Sequence, residues 1–242
     1  MSTASALWEG DPCCAIDLTE PVEDYLKAIF ALTSEGLPAS TSGIAGHLGV
    51  TPSSASTMVT RLRRAGLVDQ VAWGQVHLSS HGMAHARSIV RRHRLVETFL
   101  HRQLGLGWDE IHREAEVLEH GLSERVTDLI DELLGHPRRD PHGDPIPAKD
   151  GPHDESGDEP LSAVPVGCSF VVGRVSDRDS GVLRRLEDLG VGPGSTLRVE
   201  GSPERRGRTV RADGSSAVLD DELVDAIRGA VVSGTHPGEV RR

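Results

Sequence analysis

At 242 residues the chain is long enough for two or three small domains, and its 37% hydrophobic content together with 27 glycines is that of an ordinary globular protein. Three Trp, one Tyr and three Phe leave the cores aliphatic, and three cysteines (Cys13, Cys14 and Cys168) are too few and too badly spaced for a disulfide framework or a four-thiolate zinc site. No apolar run reaches the ~20 residues of a membrane span, and Met1–Asp11 lacks a basic start followed by an apolar stretch, so a cytoplasmic protein is expected. The net charge of −11 argues against nucleic acid, but its distribution argues the other way. Between Ser40 and Arg94 stand seven arginines and one acid, Asp69, whereas Asp140 to Pro160 holds seven acids and one base, Lys149. Phosphate binding follows the local field rather than the total.

The first helix is expected over Leu18–Leu32, where Val22, Tyr25, Leu26, Ile29 and Phe30 form one apolar stripe behind a Thr19 cap and Pro21. A short helix follows at Thr41–Leu48, closed by Gly49, and a third runs from Thr51-Pro52 to Ala65. Residues 67–71 and 75–79 read as a hairpin around Trp73-Gly74. Helix, short helix, turn, helix and hairpin is the order of a winged helix-turn-helix, in which the second helix braces the third for a major groove. A plain three-helix bundle is the alternative. It is disfavoured by the hydroxyls of Ser53, Ser54, Ser56 and Thr57, by Arg61, Arg63 and Arg64, and by a hairpin in wing position.

A long helix from a Ser80 cap to Leu104, a second from Trp108-Asp109 to Gly121 and a third from Ser123 to Gly135 make an all-helical unit. The Pro-, Gly- and acid-rich stretch after it reads as a solvated linker, in which Asp144-Pro-Ile-Pro147 stands out as a segment that can order. The tail alternates short β runs (Phe170–Val175, Ser195–Val199, Arg208–Arg211) with glycine turns, a small β-barrel with Leu186, Leu189 and Val191 in its core. The fold class is thus mainly α with a small β domain. The expected domains are 17–80 (winged helix-turn-helix), 81–148 (helical), 149–163 (linker) and 164–234 (barrel).

The chemistry concentrates in the helical unit. On the helix after Asp109, Ile111, Ala115, Leu118 and Leu122 form the apolar stripe, and His112, Glu116, Glu119 and His120 share an adjoining face. On the preceding helix His93 and Glu97 stand one turn apart among apolar neighbours, and Asp24 points off the stripe of the first helix. Carboxylates and imidazoles converging near a core need compensation, which a divalent cation supplies; ordinary helix-surface pairs are the bland alternative.

These stretches resemble the DtxR/MntR family of metal-dependent transcriptional repressors, three-domain type, over about Leu18 to Val232. The resemblance is carried by Thr19-Glu-Pro-Val-Glu-Asp-Tyr-Leu-Lys-Ala-Ile-Phe30, Pro52-Ser-Ser-Ala-Ser-Thr-Met-Val59, Arg91-Arg-His-Arg-Leu-Val-Glu-Thr-Phe-Leu100 and Glu116-Val-Leu-Glu-His-Gly-Leu-Ser123. It implies a helical dimerisation domain and a C-terminal SH3-like (FeoA-like) barrel. Asp24, Glu116, Glu119 and His120 then fall on a primary metal site and His93, Glu97 and His112 on an ancillary one. Asp177 and Asp179 are candidates for a ligand from the barrel, with Asp179 carried forward. Iron-sensing members usually place Met and Cys where this chain has Asp24 and Glu116. Hard carboxylates there suit Mn²⁺, with Fe²⁺ the alternative. Lys27 stands where two-domain manganese sensors often carry a Glu, which favours separate sites over a closely paired one.

The mechanism expected is a homodimer whose metal acts as co-repressor, fixing two recognition helices about 34 Å apart, or a multiple, on a palindromic double-stranded operator. Ser53 and Thr57 are expected near base edges and Thr51, Ser54, Ser56, Arg61 and Arg64 on phosphates, with the Trp73–Gln75 wing near the backbone. Leu95, Val96, Phe99 and Leu104 are expected to supply the dimer surface. No symmetric pair of Glu-x-x-His motifs, HExxH, GxSxG or phosphate loop is present, so neither an enzyme nor a small organic substrate is expected. A winged-helix regulator answering a non-metal ligand is the remaining rival.

Overall fold

The computed structural model describes residues 18–70, 74–149, 157–201, 207–212 and 214–232. Cys13 and Cys14, the tip of the wing at 71–73 and much of the linker lie outside the described residues. No helix among those described is long and apolar enough to cross a membrane. The chain forms two compact units. The first comprises Met1–Val96, Val117–Leu133 and Pro147–His153, the second Glu97–Glu116, Leu134–Ile146 and Asp154–Arg242.

In the first unit, α1 (Glu20–Ser34) buries the expected stripe of Val22, Tyr25, Leu26, Ile29 and Phe30. Thr19 precedes it without a side-chain capping bond. Ser40 caps α2 (Thr41–Leu48) by accepting from the Gly43 amide, and Gly49 closes it at φ 65°, a left-handed turn that admits glycine readily. Thr51 then caps α3 (Pro52–Arg64), whose Ala55, Val59 and Leu62 are buried. Strands β1 (Val68–Gln70) and β2 (Val76–Leu78) pair antiparallel in the register Val68↔Leu78. The long helix α4 (Ser80–Leu104) is capped one residue earlier than expected, because the Ser79 hydroxyl accepts from the Gly82 amide. Ala86, Ile89 and Val90 join the core beneath the helix-turn-helix.

Helix α5 (Ile111–Glu119) starts later than expected, and α6 (Glu124–Leu133) follows Ser123. Two expectations about apolar surface need correction. Leu95 and Val96 are 0% and 2% exposed within one chain, so they supply no dimer surface, whereas of the other two residues expected there Phe99 is half-buried and Leu104 is exposed. Leu118, assigned to the buried stripe of α5, is exposed together with Val117, Val126, Leu129 and Leu133. The buried stripe instead runs Ile111, Ala115 and Glu119.

The second unit is built on an antiparallel sheet in the order β3-β8-β4-β5-β6-β7. Its strands are β3 (Glu159–Pro160), β4 (Ser169–Val175), β5 (Thr196–Gly201), β6 (Arg208–Ala212), β7 (Ser215–Leu219) and β8 (Ile227–Val232). The ladder is open rather than a closed barrel. Helices α7 (Ser180–Asp188) and α8 (Asp221–Ala226), which the β-run pattern did not disclose, cover Phe170, Leu197, Val199 and Val210. Leu186 and Val191 are core as expected, but Leu189 is exposed at the end of α7. The expected linker to residue 163 gives way at Glu159, since β3 pairs with β8 and Leu161 is fully buried.

Three contacts bring the segment 134–146 onto this sheet. β4 carries an irregularity between Val172 and Arg174, and Gly143, at φ 91°, lies so close that a Cβ would meet the Gly173 carbonyl at 2.2 Å. The Val175 amide donates to the His142 carbonyl, and Arg174 pairs with Asp144 at 2.9 Å.

Candidate metal centres and DNA-contacting helix

In the first unit α1 presents Glu23, Asp24 and Lys27 to Glu119 and His120 at the end of α5. The His120 Nδ1 lies 2.8 Å from Glu23 Oε2, while its Nε2 faces Asp24 Oδ1 at 3.5 Å and Glu119 Oε1 at 3.7 Å. One ring nitrogen thus donates to a buried carboxylate and the other is turned toward two more, the arrangement that orients an imidazole for a cation. Glu23 is itself 4% exposed and held by Arg92 Nη2 at 2.9 Å. Glu119 is completely buried, with Lys27 Nζ at 2.6 Å on one oxygen and His93 Nδ1 at 2.7 Å on the other. Burial works to raise the Glu119 carboxyl, but the hydrogen bond and charge of His93, followed by Lys27, outweigh it and hold the group at about 2. Glu116 stands one turn before Glu119 and His120 on α5.

In the second unit Glu97 and His112 meet at 3.1 Å, Asp177 approaches the same Nδ1 at 3.1 Å, and Glu116 lies 3.5 Å from the His112 Nε2. Burial opposes the charge on His112, yet its bonds to Asp177 and Glu97 push its pKa up to about 10. Burial likewise acts to raise Asp177, but the bond to His112 prevails and holds it at about 2. Asp179, the residue expected to reach this cluster, is instead the N-cap of α7 and accepts from the Gly181 and Val182 amides. Asp177, the other aspartate considered, lies two residues past β4 and is the one that approaches His112.

Two further donors escaped the sequence reading. Glu97, Asp140 and His142 are all buried and present ligand atoms within 4.8 Å of one another. The His142 Nε2 donates to the Trp108 carbonyl at 3.0 Å, which leaves Nδ1 as a lone pair; it is buried and has no hydrogen-bond partner. Histidine between acids in Asp140-Pro-His-Gly-Asp144 was the available signal, obscured by the linker-like composition around it.

On α3 the residues expected on DNA are all exposed: Thr51, Ser53, Ser54, Ser56, Thr57, Arg61 and Arg64. Ser53, Ser54, Thr57, Met58 and Arg61 line one shallow surface groove. The Thr51 hydroxyl accepts from the Ser54 amide and pairs with the Ser53 hydroxyl at 3.0 Å, and the Thr57 hydroxyl donates to the Ser53 carbonyl, so Ser56, Arg61 and Arg64 offer the most adaptable donors.

Comparison with known proteins resolves what these clusters belong to. Residues 17–73 match the N-terminal DNA-binding domain of iron-dependent repressors, 79–148 their metal-binding and dimerisation domain, and 159–231 the FeoA domain. The iron-dependent repressor IdeR of Mycobacterium leprae is 30% identical over 224 residues, covering 88% of this chain and 97% of that protein. The chain belongs to the DtxR family of metal-dependent transcriptional repressors. The diphtheria toxin repressor of Corynebacterium glutamicum is 31% identical over 229 residues, 90% of this chain and 99% of the relative. A solved manganese-dependent transcriptional repressor in complex with manganese superposes with a TM-score of 0.81 at 40% identity, covering 87% of this repressor and 99% of the solved chain. The manganese regulator SloR superposes at 0.74 with 31% identity, covering 87% and 98%. The winged helix-turn-helix, helical dimerisation domain and SH3-like C-terminal domain expected from sequence are those of this family.

Proposed function

We propose that this repressor is activated by Mn²⁺, and that it acts by binding an operator as a homodimer in the cytoplasm, without catalysis. The observation that carries the reading is the environment of His120, one nitrogen fixed by Glu23 and the other facing the Asp24 and Glu119 carboxylates. Asp24, Glu116, Glu119 and His120 form the primary site. His93, Glu97 and His112, with Asp177 and the donors Asp140 and His142, form the ancillary one. These donors are oxygen and imidazole, with no thiolate or thioether, which suits a hard cation. The 40% identity to a manganese-dependent repressor supports the same choice, whereas relatives named for iron keep Fe²⁺ as the alternative.

A bound divalent cation supplies the positive charge that lets several carboxylates share one space. The rest is done by the chain. Asp24 sits on α1, and α1 packs against both α2 and α3, so whatever fixes Asp24 to Glu119 and His120 also fixes the helix-turn-helix to α5. Arg92 and Glu23 hold the His120 ring in place. Val117, Leu118, Val126, Leu129 and Leu133 offer the apolar face a second copy covers, and α3 presents its hydroxyls and arginines outward.

The test is retention of the chain's own upstream DNA and of metal-transporter promoters, titrated with Mn²⁺, anaerobic Fe²⁺ and Zn²⁺ at fixed salt. Retention at lower free Mn²⁺ than Fe²⁺ is expected. The reverse order assigns the protein to iron, and retention indifferent to chelator removes the metal from the mechanism.

A further inference from the structure

Outside both clusters, the first turns of α4 carry a second kind of donor set. His81 and His85 are four residues apart, so one helical face carries both rings, and one Nε2–H donates to the other Nε2 at 3.0 Å, a proton that an ion between the rings would replace. The rings are tilted by 53° with centroids 4.7 Å apart, converging at their tips rather than stacking. Both side chains are partly exposed, which gives an ion a way in.

The spacing has a geometric meaning. Two imidazole nitrogens, each about 2.0–2.1 Å from a shared ion and at right angles, stand about 2.9 Å apart. The observed 3.0 Å is therefore the separation of two adjacent positions in a square-planar or octahedral sphere. We infer that His81 and His85 form a bidentate, all-nitrogen site for a divalent cation of the nickel and copper class, separate from the oxygen-rich centres.

Three properties of the surroundings fit. Burial and the neighbouring His81 both lower the pKa of His85, which favours the neutral ring a metal needs, and Glu23 acts on it as a negative charge that offsets a cation. With no carboxylate oxygen in the pair, Mn²⁺ gains little there, while ions high in the Irving–Williams order gain most. The pair also follows directly on β2 and lies two helical turns before Arg92, the residue that holds Glu23. An ion on it would clamp the start of α4, at the junction with the wing.

The experiment is equilibrium dialysis of the full chain against Ni²⁺ after the oxygen-rich centres have been loaded with saturating Mn²⁺. Wild type is compared with His81→Gln and His85→Gln. Each variant is expected to hold one Ni²⁺ fewer than wild type, with its Mn²⁺ content and Mn²⁺-dependent DNA retention unchanged, which also reports that it is folded. Cu²⁺ in place of Ni²⁺ should give an electron paramagnetic resonance spectrum with splitting from two nitrogens, reduced to one in either variant. An equal Ni²⁺ count in all three proteins, or a copper spectrum the substitutions do not alter, overturns the site. Neither result depends on whether Mn²⁺ or Fe²⁺ activates the repressor.

Discussion

The two clusters solve the same electrostatic problem by different means. In the first unit each buried carboxylate is shared between a ring and a permanent cation: His93 and Lys27 both reach Glu119, and His120 and Arg92 both reach Glu23. In the second, the compensation is imidazole, with His112 held between Glu97 and Asp177. A lysine or arginine keeps its charge at any working pH, whereas an imidazole can give up its proton to an incoming cation. The first cluster therefore keeps a framework of two fixed charges, Lys27 and Arg92, beside the exchangeable rings of His93 and His120, and a cation still has to join Asp24 to Glu119 and His120. The second is a set of exchangeable donors.

The comparison is broken most directly at Asp24. Asp24→Ala removes an oxygen from the primary site without touching either permanent pair, and should abolish Mn²⁺-activated DNA retention while thermal unfolding stays close to wild type. Retention at ordinary Mn²⁺ would show that the primary site lies elsewhere. Lys27→Met tests the framework itself. Removing one partner of a largely buried pair should cost about 3 kcal/mol of stability in the metal-free protein, measured by denaturant unfolding, with much of it restored by Mn²⁺. Unfolding unaffected by the substitution would mean Lys27 is no part of the compensation.

Glu23→Gln keeps a side chain of the same shape but takes away the charge behind His120. Mn²⁺ affinity should fall about 10–100-fold, read by titration calorimetry, since loss of an outer carboxylate usually has that effect. A paired substitution sharpens the description of the second cluster. Asp177→Ala should weaken Mn²⁺ binding in that cluster several-fold. Asp179→Ala should leave metal binding alone and cost about 1 kcal/mol through the lost cap of α7. If Asp179→Ala is the variant that loses metal, the assignment of the two aspartates is inverted.

Much of the first unit could be read from local pattern. The α1 stripe, the Gly49 turn, the Pro52 start of α3 and the hydroxyl-rich exposed face all follow from spacing within a dozen residues. Asp24 and His120 were singled out for the same reason, since each lies off a stripe with a fixed period, whereas Glu119, assigned to the adjoining face, sits on the buried stripe itself. The second unit was less legible. Helices α7 and α8 are nine and six residues long and set among β runs, too short for a period to stand out. Leu118 reads as apolar stripe from its spacing with Ile111 and Ala115, and Leu189 reads as core, yet Leu118 is exposed on α5 and Leu189 is exposed at the end of α7.

The sequence by itself determined the order of elements, the domain types and the residue classes that could hold a hard cation, because helix period and turn chemistry are local. Only the tertiary structure decided which members of those classes meet. Asp177 rather than Asp179 reaches His112, because a two-residue step past β4 leaves one aspartate at the cluster and turns the other onto the amides of α7. His142 belongs with Glu97 because an irregularity in β4 and the close approach of Gly143 bring a proline-rich turn down onto the sheet. Contacts between residues 45 apart in the chain depend on how the backbone closes, and no pattern along the chain records it.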